Sequence, residues 1–165
     1  MGTTKGTQRK AKASIDEKLN LSAPSRDLLE SLAVSCASTP SQDNTFQYAF
    51  ALSKSDNKRE LEYAVSILDG LVNERYQHQI DCMYGAATAL YRLQDYAQAR
   101  KRCEAILRNY PDHVNTKELH LACIQGEEVK QEHKIKRAAI EGTVGVAAIG
   151  LALSVAGMML GSRRK

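Results

Sequence analysis

The chain has no tryptophan, and aromatic residues make up only 5% of its 165 positions. A core so poor in rings must be built from Leu, Ala, Val and Ile, which suits helices packed on helices. With 3 Pro and 10 Gly, collagen-like and Pro-rich fibrous chains are excluded. The four cysteines, Cys36, Cys82, Cys103 and Cys123, include no CxxC pair, so zinc ribbons and thioredoxin-like chemistry lack support. His113, His120 and Cys123 form a loose metal-like cluster. Small apolar Cys on helix faces beside surface His is the better account, and no metal or cofactor is expected. No Gly-rich loop precedes a Lys-Ser/Thr pair, and neither G-x-S-x-G nor H-E-x-x-H occurs, so the expectation is a protein that is not an enzyme.

The chain also lacks a basic folded face. Its formal charge is +4, but residues 25–129 carry 15 Asp and Glu against 11 Lys and Arg. The excess cations sit at the two ends, before residue 25 and after residue 129. A nucleic-acid partner is not expected, because phosphate neutralisation needs cations on the folded surface.

A long stretch without charge is present near the C-terminus. Residues 142–161 are 20 positions without Asp, Glu, Lys or Arg. As a helix they would span about 30 Å, the thickness of a bilayer's hydrocarbon core. Glu141 precedes them, and Arg163-Arg164-Lys165 follow. The expectation is a single-pass C-terminal anchor, inserted after translation, with the rest of the chain in the cytosol. Moderate hydrophobicity with a short basic tail resembles the tail anchors of mitochondrial outer-membrane and peroxisomal proteins, and makes Arg163, Arg164 and Lys165 the targeting residues. Gly157-xxx-Gly161 is a small-xxx-small pattern of the kind that pairs membrane helices, which would give a homodimer; the alternative is chance occurrence in a Gly-rich span.

Between the ends the pattern is helical throughout. Ser25 caps a helix carrying Leu28, Leu29 and Leu32, stopped by Thr39-Pro40-Ser41. A second begins near Asp43 with Phe46, Tyr48, Ala49, Phe50 and Leu52. The third places Leu61, Ala64, Val65, Leu68, Leu71 and Val72 on one face. A fourth runs from about Tyr76 to Arg92. A fifth carries Tyr96, Ala99, Cys103, Ile106, Leu107 and Tyr110, and a sixth starts at Pro111-Asp112. Residues 48–52 match residues 86–90, and Ala64…Leu68…Leu71 matches Ala99…Cys103…Ile106. Two helices per unit at a period of roughly 34 residues is the tetratricopeptide (TPR) pattern. The fold class is therefore all-α, a TPR-like superhelical bundle of about six helices with one C-terminal transmembrane helix.

The expected organisation is a flexible basic arm over residues 1–24 and a TPR-like domain over 25–130. Its repeats fall at about 41–73 and 76–111, with the flanking helices as caps. A basic juxtamembrane helix follows over 131–141, then the anchor over 142–161 and a basic tail over 162–165. TPR arrays work by presenting an inner face built from the first helix of each repeat. Mapping that face gives Asp43, Phe46, Phe50 and Ser53 in the first unit and Asp81, Tyr84, Thr88 and Tyr91 in the second, with Lys54 and Arg92 just beyond. Phe46, Phe50, Lys54, Asp81, Tyr84, Thr88, Tyr91 and Arg92 are the candidate partner-binding residues. Aromatics serve as anchors, and Arg92 offers planar donors to a partner's acidic or carbonyl group. For Phe46 and Phe50, packing under the first helix is an equal alternative.

Phe46-Gln47-Tyr48-Ala49-Phe50, residues 91–96, Pro111-Asp112, Lys117-Glu118-Leu119 and the Glu141-Gly142 entry to the anchor stand in an order and spacing that resembles the mitochondrial fission 1 protein family. The resemblance covers roughly residues 25–165. It implies an outer-membrane adaptor of mitochondria and peroxisomes that binds a dynamin-related GTPase or fission adaptor proteins. The arm before Ser25 departs from the family pattern, being basic and Gly/Thr-rich, and is read as a free leader rather than a cover for the groove. The alternative is a tail-anchored TPR cochaperone. Its clamp would need cations and amides on the inner faces, where this chain has aromatics and Asp.

Overall fold

The computed structural model describes residues 4–140, and these residues form helices without a strand among them. Two units divide between Glu128 and Val129. The helices are α1 (Lys5–Leu21), α2 (Arg26–Ser38), α3 (Gln42–Leu52), α4 (Lys58–Asn73), α5 (Gln79–Arg92), α6 (Tyr96–Asn109) and α7 (Val114–Ile140).

Local chemistry sets most boundaries. Ser25, Ser41 and Asp95 each accept a backbone N–H three residues on, from Leu28, Asn44 and Gln98, satisfying a first-turn donor that has no partner inside the helix. Asn57 does the same for Arg59. Helices α4 and α5 end alike. Arg75 and Gln94 take φ of 57° and 59°. The N–H of Tyr76 returns to the Leu71 carbonyl at 3.0 Å, and that of Asp95 to Leu90 at 3.0 Å. This left-handed closure uses up the last free carbonyls and turns the chain sharply into the next helix. Tyr76, expected inside the fourth helix, instead lies buried in the loop before α5.

The repeat pairs α3 with α4 and α5 with α6. Small residues stand where the paired helices approach. Ala64, Ala87 and Ala99 have no exposed surface, and Ala87 and Ala99 share a buried cluster with Cys103, Leu119, Ala122 and Cys123. Ala49, Leu68, Leu71, Tyr76, Cys82 and Ala86 form a second cluster. Leu29, Leu52, Leu61, Ala64 and Ala89 form a third, which α2 seals from one end. On the outer side Arg102 grips the Asp69 carboxylate with both terminal nitrogens, Nη2 to Oδ2 at 2.7 Å, joining α6 to α4.

The expected flexible arm over residues 1–24 is corrected. Most of it is α1, capped by Thr4, and its face of Gln8, Ala11, Ile15 and Leu19 is buried. Ile15 and Leu19 belong to the cluster of Ala87, Tyr91, Ala99 and Leu119. The helix count among the described residues is seven accordingly. The physical reason is a stripe at i, i+3, i+7 and i+11, too polar as a whole to register as an apolar run.

The described residues of the second unit, 129–140, are helical, with Ile135 and Ile140 exposed. Among the described residues no helix is long and apolar enough to cross a membrane. The anchor expected over 142–161 and the targeting residues Arg163, Arg164 and Lys165 lie outside the described residues.

Candidate functional site

The eight candidate residues separate into two groups. Phe46, Phe50 and Lys54 lie along α3 and its C-terminal turn, beside a cleft of about 490 Å³. Leu28 and Leu32 of α2 form the opposite wall, and the turn from Leu21 to Ser25 closes one end. Its lining is largely apolar, and Leu21 and Leu28 are 82% and 47% exposed. The Phe46 ring sits 5.3 Å from that of Phe50 and 5.6 Å from that of Tyr76. The Lys54 ammonium lies 4.8 Å from the centre of the Phe50 ring, a cation–π contact that holds one positive charge at the rim. Phe50 is also a packing residue: its Cδ2 lies 2.9 Å from where a Cβ on Gly85 would stand. The phenylalanines thus have one face against the core and the other towards the cleft. Behind them, burial and then the Asp43 carboxylate push the Tyr76 phenol up to about 12, and its hydroxyl donates to Asp43 Oδ1 at 2.5 Å. Tyr76 therefore fixes the start of α3 against the loop before α5.

In the second group Thr88, Tyr91 and Arg92 are committed within the fold. Tyr91 is 4% exposed, and its hydroxyl donates to Asp16 Oδ1 of α1 at 2.7 Å. Lys12 holds the other oxygen of that carboxylate at 2.6 Å. The Tyr96 ring meets Tyr91 edge-on at 5.2 Å. Burial, and then Asp16, raise the Tyr91 phenol above its ordinary range. Thr88 is buried and its hydroxyl donates to the Tyr84 carbonyl at 2.9 Å. Tyr84 packs on the same cluster and lies edge-on to His113 at 6.0 Å. Asp81 is exposed, with His78 Nδ1 at 3.5 Å. Arg92, expected to orient a partner, instead donates from Nε to the Ser55 carbonyl at 2.8 Å and from Nη2 to Asp56. It ties α5 to the α3–α4 turn. The assignment of Tyr91 and Arg92 as partner anchors is thus corrected: one is the floor under α1, and the other is a structural brace.

The sequence reading missed α1 itself. Lys18 reaches Glu118 of α7 at 2.6 Å, and Lys5 reaches Glu128 at 3.9 Å, so α1 and α7 run antiparallel. Burial pushes the Glu118 carboxyl up, but hydrogen bonds from Lys18 and Ser14 and the Lys18 charge outweigh it, and the net direction is down. The seam is imperfect. The side-chain oxygens of Gln8 and Gln125 are buried with no hydrogen-bond partner, and each such group costs about 1–3 kcal/mol. The usable signal was Ala11, Ile15 and Leu19 at spacings of four, with Lys12 and Asp16 at i, i+4 on an adjoining face.

Cys82, Cys103 and Cys123 are buried and Cys36 is partly so, all as free thiols. Contact with Cys103, then burial, raises the Cys123 thiol well above its ordinary range, so these sulfurs behave as apolar core atoms. No group of side chains suited to a metal ion occurs among the described residues.

A family model described as the Fis1 C-terminal tetratricopeptide repeat matches residues 80–126. The mitochondrial fission 1 protein of Debaryomyces hansenii is 27% identical over 143 residues, covering 87% of this chain and 86% of its own. That of Neurospora crassa is 33% identical over 103 residues, with coverages of 62% and 65%. The chain belongs to the mitochondrial fission 1 protein family. It is thus a TPR-type adaptor and not an enzyme. The solved Fis1 of Saccharomyces cerevisiae superposes with a TM-score of 0.63 at 19% identity, covering 71% of this chain and 95% of that one. Yeast Fis1 in complex with an Mdv1 fragment, containing N-terminal extension and coiled coil domains, gives 0.57 at 20%, with coverages of 67% and 88%. These likenesses support the same TPR fold.

Proposed function

We propose that this Fis1-family chain is a tail-anchored adaptor of the mitochondrial outer membrane, and of peroxisomes, that recruits the organelle fission machinery. Its partner is a fission adaptor protein or a dynamin-related GTPase. The observation that carries this reading is the apolar cleft between α2 and α3, with Phe46 and Phe50 along one wall and exposed Leu28 on the other. An apolar trough of this length suits the apolar stripe of a partner helix, and Lys54 at the rim favours an acidic residue beside that stripe. A relative of this fold captured with an Mdv1 fragment supports the class of partner. The uncharged residues 142–161 and the basic tail after them support membrane insertion.

The test is proximity labelling from the cytosolic side of the full chain in living cells, with Leu28→Glu and Lys54→Glu as variants. Both positions lie at the rim of the cleft, so the fold should survive. The expected result is recovery of a fission GTPase or its adaptor by the wild type and loss of it in both variants, with the chain still on mitochondria. Recovery of chaperones alone, or undiminished recruitment by both variants, would overturn the reading.

A further inference from the structure

Helix α1 carries a serine where a modification would act on the seam with α7. Ser14 is half-buried and stands one turn before Lys18, whose ammonium holds the Glu118 carboxylate at 2.6 Å; Ser14 also helps to hold the Glu118 carboxyl below its ordinary range. The segment reads Ser14-Ile15-Asp16-Glu17, a serine with carboxylates at the second and third positions after it. Acidophilic serine kinases read that arrangement through cationic pockets.

We propose that Ser14 is a phosphorylation site for an acidophilic serine kinase, and that its phosphate holds α1 away from α7. In the transfer step the Ser14 Oγ attacks the γ-phosphorus of ATP held by the kinase. The bond from that phosphorus to the β,γ-bridging oxygen breaks, ADP leaves, and the hydroxyl proton passes to the kinase's base. Ser14 then carries close to two negative charges at neutral pH. With α1 docked, that phosphate would stand against Glu118, a like charge inside a half-buried seam. The cation that relieves it is Lys18, one turn on along α1, and Lys18 then leaves Glu118. One modification weakens an ion pair and adds a repulsion.

Two further observations favour this position. The seam holds two orphan buried carbonyls, on Gln8 and Gln125, so α1 is held less firmly than the paired helices. The docked form also half-buries the serine. The kinase therefore reads the undocked segment, and the phosphate stops it returning. Release would uncover Tyr91 and Ala87, on which α1 rests. What that does to partner capture rests on the proposed adaptor function; the release itself does not.

The experiment uses the full chain in detergent micelles, treated with an acidophilic serine kinase and ATP, with sites mapped by mass spectrometry and α1 followed by hydrogen exchange. The expected result is phosphate on Ser14, faster labelling in a Leu19→Ala variant that loosens α1, and none at this position in Ser14→Ala. Amides of α1 should exchange at least tenfold faster after labelling, with α5 and α6 unchanged. Glu118→Gln should recover much of the lost protection in the phosphorylated protein, because it removes the repelling charge. Absence of label on Ser14 even in Leu19→Ala would overturn the proposal. So would labelled protein whose α1 exchanges as before, or protection that Glu118→Gln leaves unimproved. None of these readouts depends on a fission partner, so failure of the adaptor reading would leave them untouched.

Discussion

Gly126 sits inside α7, where glycine costs a helix about 1 kcal/mol relative to alanine. By propensity alone Gly126→Ala should stabilise. The packing says otherwise. A Cβ there would lie 2.7 Å from Tyr96 Cδ1 and Cε1 and 2.8 Å from Cγ. Those atoms belong to the ring and its root, not to the end of a flexible chain. The ring is in turn set edge-on against Tyr91 at 5.2 Å, and Tyr91 is pinned by Asp16. To make room, Tyr96 must move and take part of that stack with it. Overpacking of this kind costs about 1–3 kcal/mol, and an aromatic pair contributes about 0.5–1.5 kcal/mol beyond its burial. Set against the propensity gain, the net loss is about 1–2 kcal/mol. For a domain of this size the melting midpoint should fall by about 3–8 °C. Gly70→Ala is the control, since a Cβ at Gly70 meets nothing within 4 Å. The same propensity term then acts alone, and the midpoint should rise by about 2–4 °C. The assay is thermal circular dichroism of the full chain and both variants in one detergent. Adding Tyr96→Ala to Gly126→Ala should cost less than the two single changes together, because the clash is gone. If Gly126→Ala melts at or above the wild type, the tight contact between α7 and the start of α6 is refuted.

Three more outcomes follow from the packing. Ala99→Leu should lower the melting midpoint, at a cost of about 1–3 kcal/mol, because Ala99 has no exposed surface where α5 and α6 meet; an unchanged midpoint would mean the repeat register is wrong. Ile15→Ala removes roughly 2–4 kcal/mol of burial and packing from α1, so hydrogen exchange should speed up in α1 and stay unchanged in α4 to α6. Equal loss of protection in all helices would show that α1 is part of the cooperative core. Acidification should release α1 as well. The folded pKa of Glu118 lies below its ordinary value of 4.5, so its contribution is complete above that value and lost as pH falls through the folded one. Methyl resonances of Ile15 and Leu19 should report that change below about pH 4.5, and Glu118→Gln should abolish it; a profile identical in the variant would exclude Glu118 as the group responsible.

Periodicity alone determined the repeat architecture. Apolar residues at helical spacing, the cap at Ser25, the stop at Thr39-Pro40-Ser41, and alanines at matching positions of two units are local signals. They read correctly because each helix buries one face and closes its own ends. They also put Phe46, Phe50 and Lys54 on one side of α3, where the structure has its apolar cleft. Local signals could not say which polar side chains would find partners distant in sequence. Arg92 looks like a free donor until the fold brings the Ser55 carbonyl and Asp56 to it. Tyr91 looks like a groove wall until Asp16 arrives from a segment 75 positions earlier. Helix α1 was hidden for the same reason. Its stripe of Gln8, Ala11, Ile15 and Leu19 is too thin to bury by itself, and becomes a docking face only against the surface that α5 and α7 assemble. Tertiary structure therefore decided which half of the candidate face stays accessible, because burial there depends on long-range contacts that no window of sequence contains.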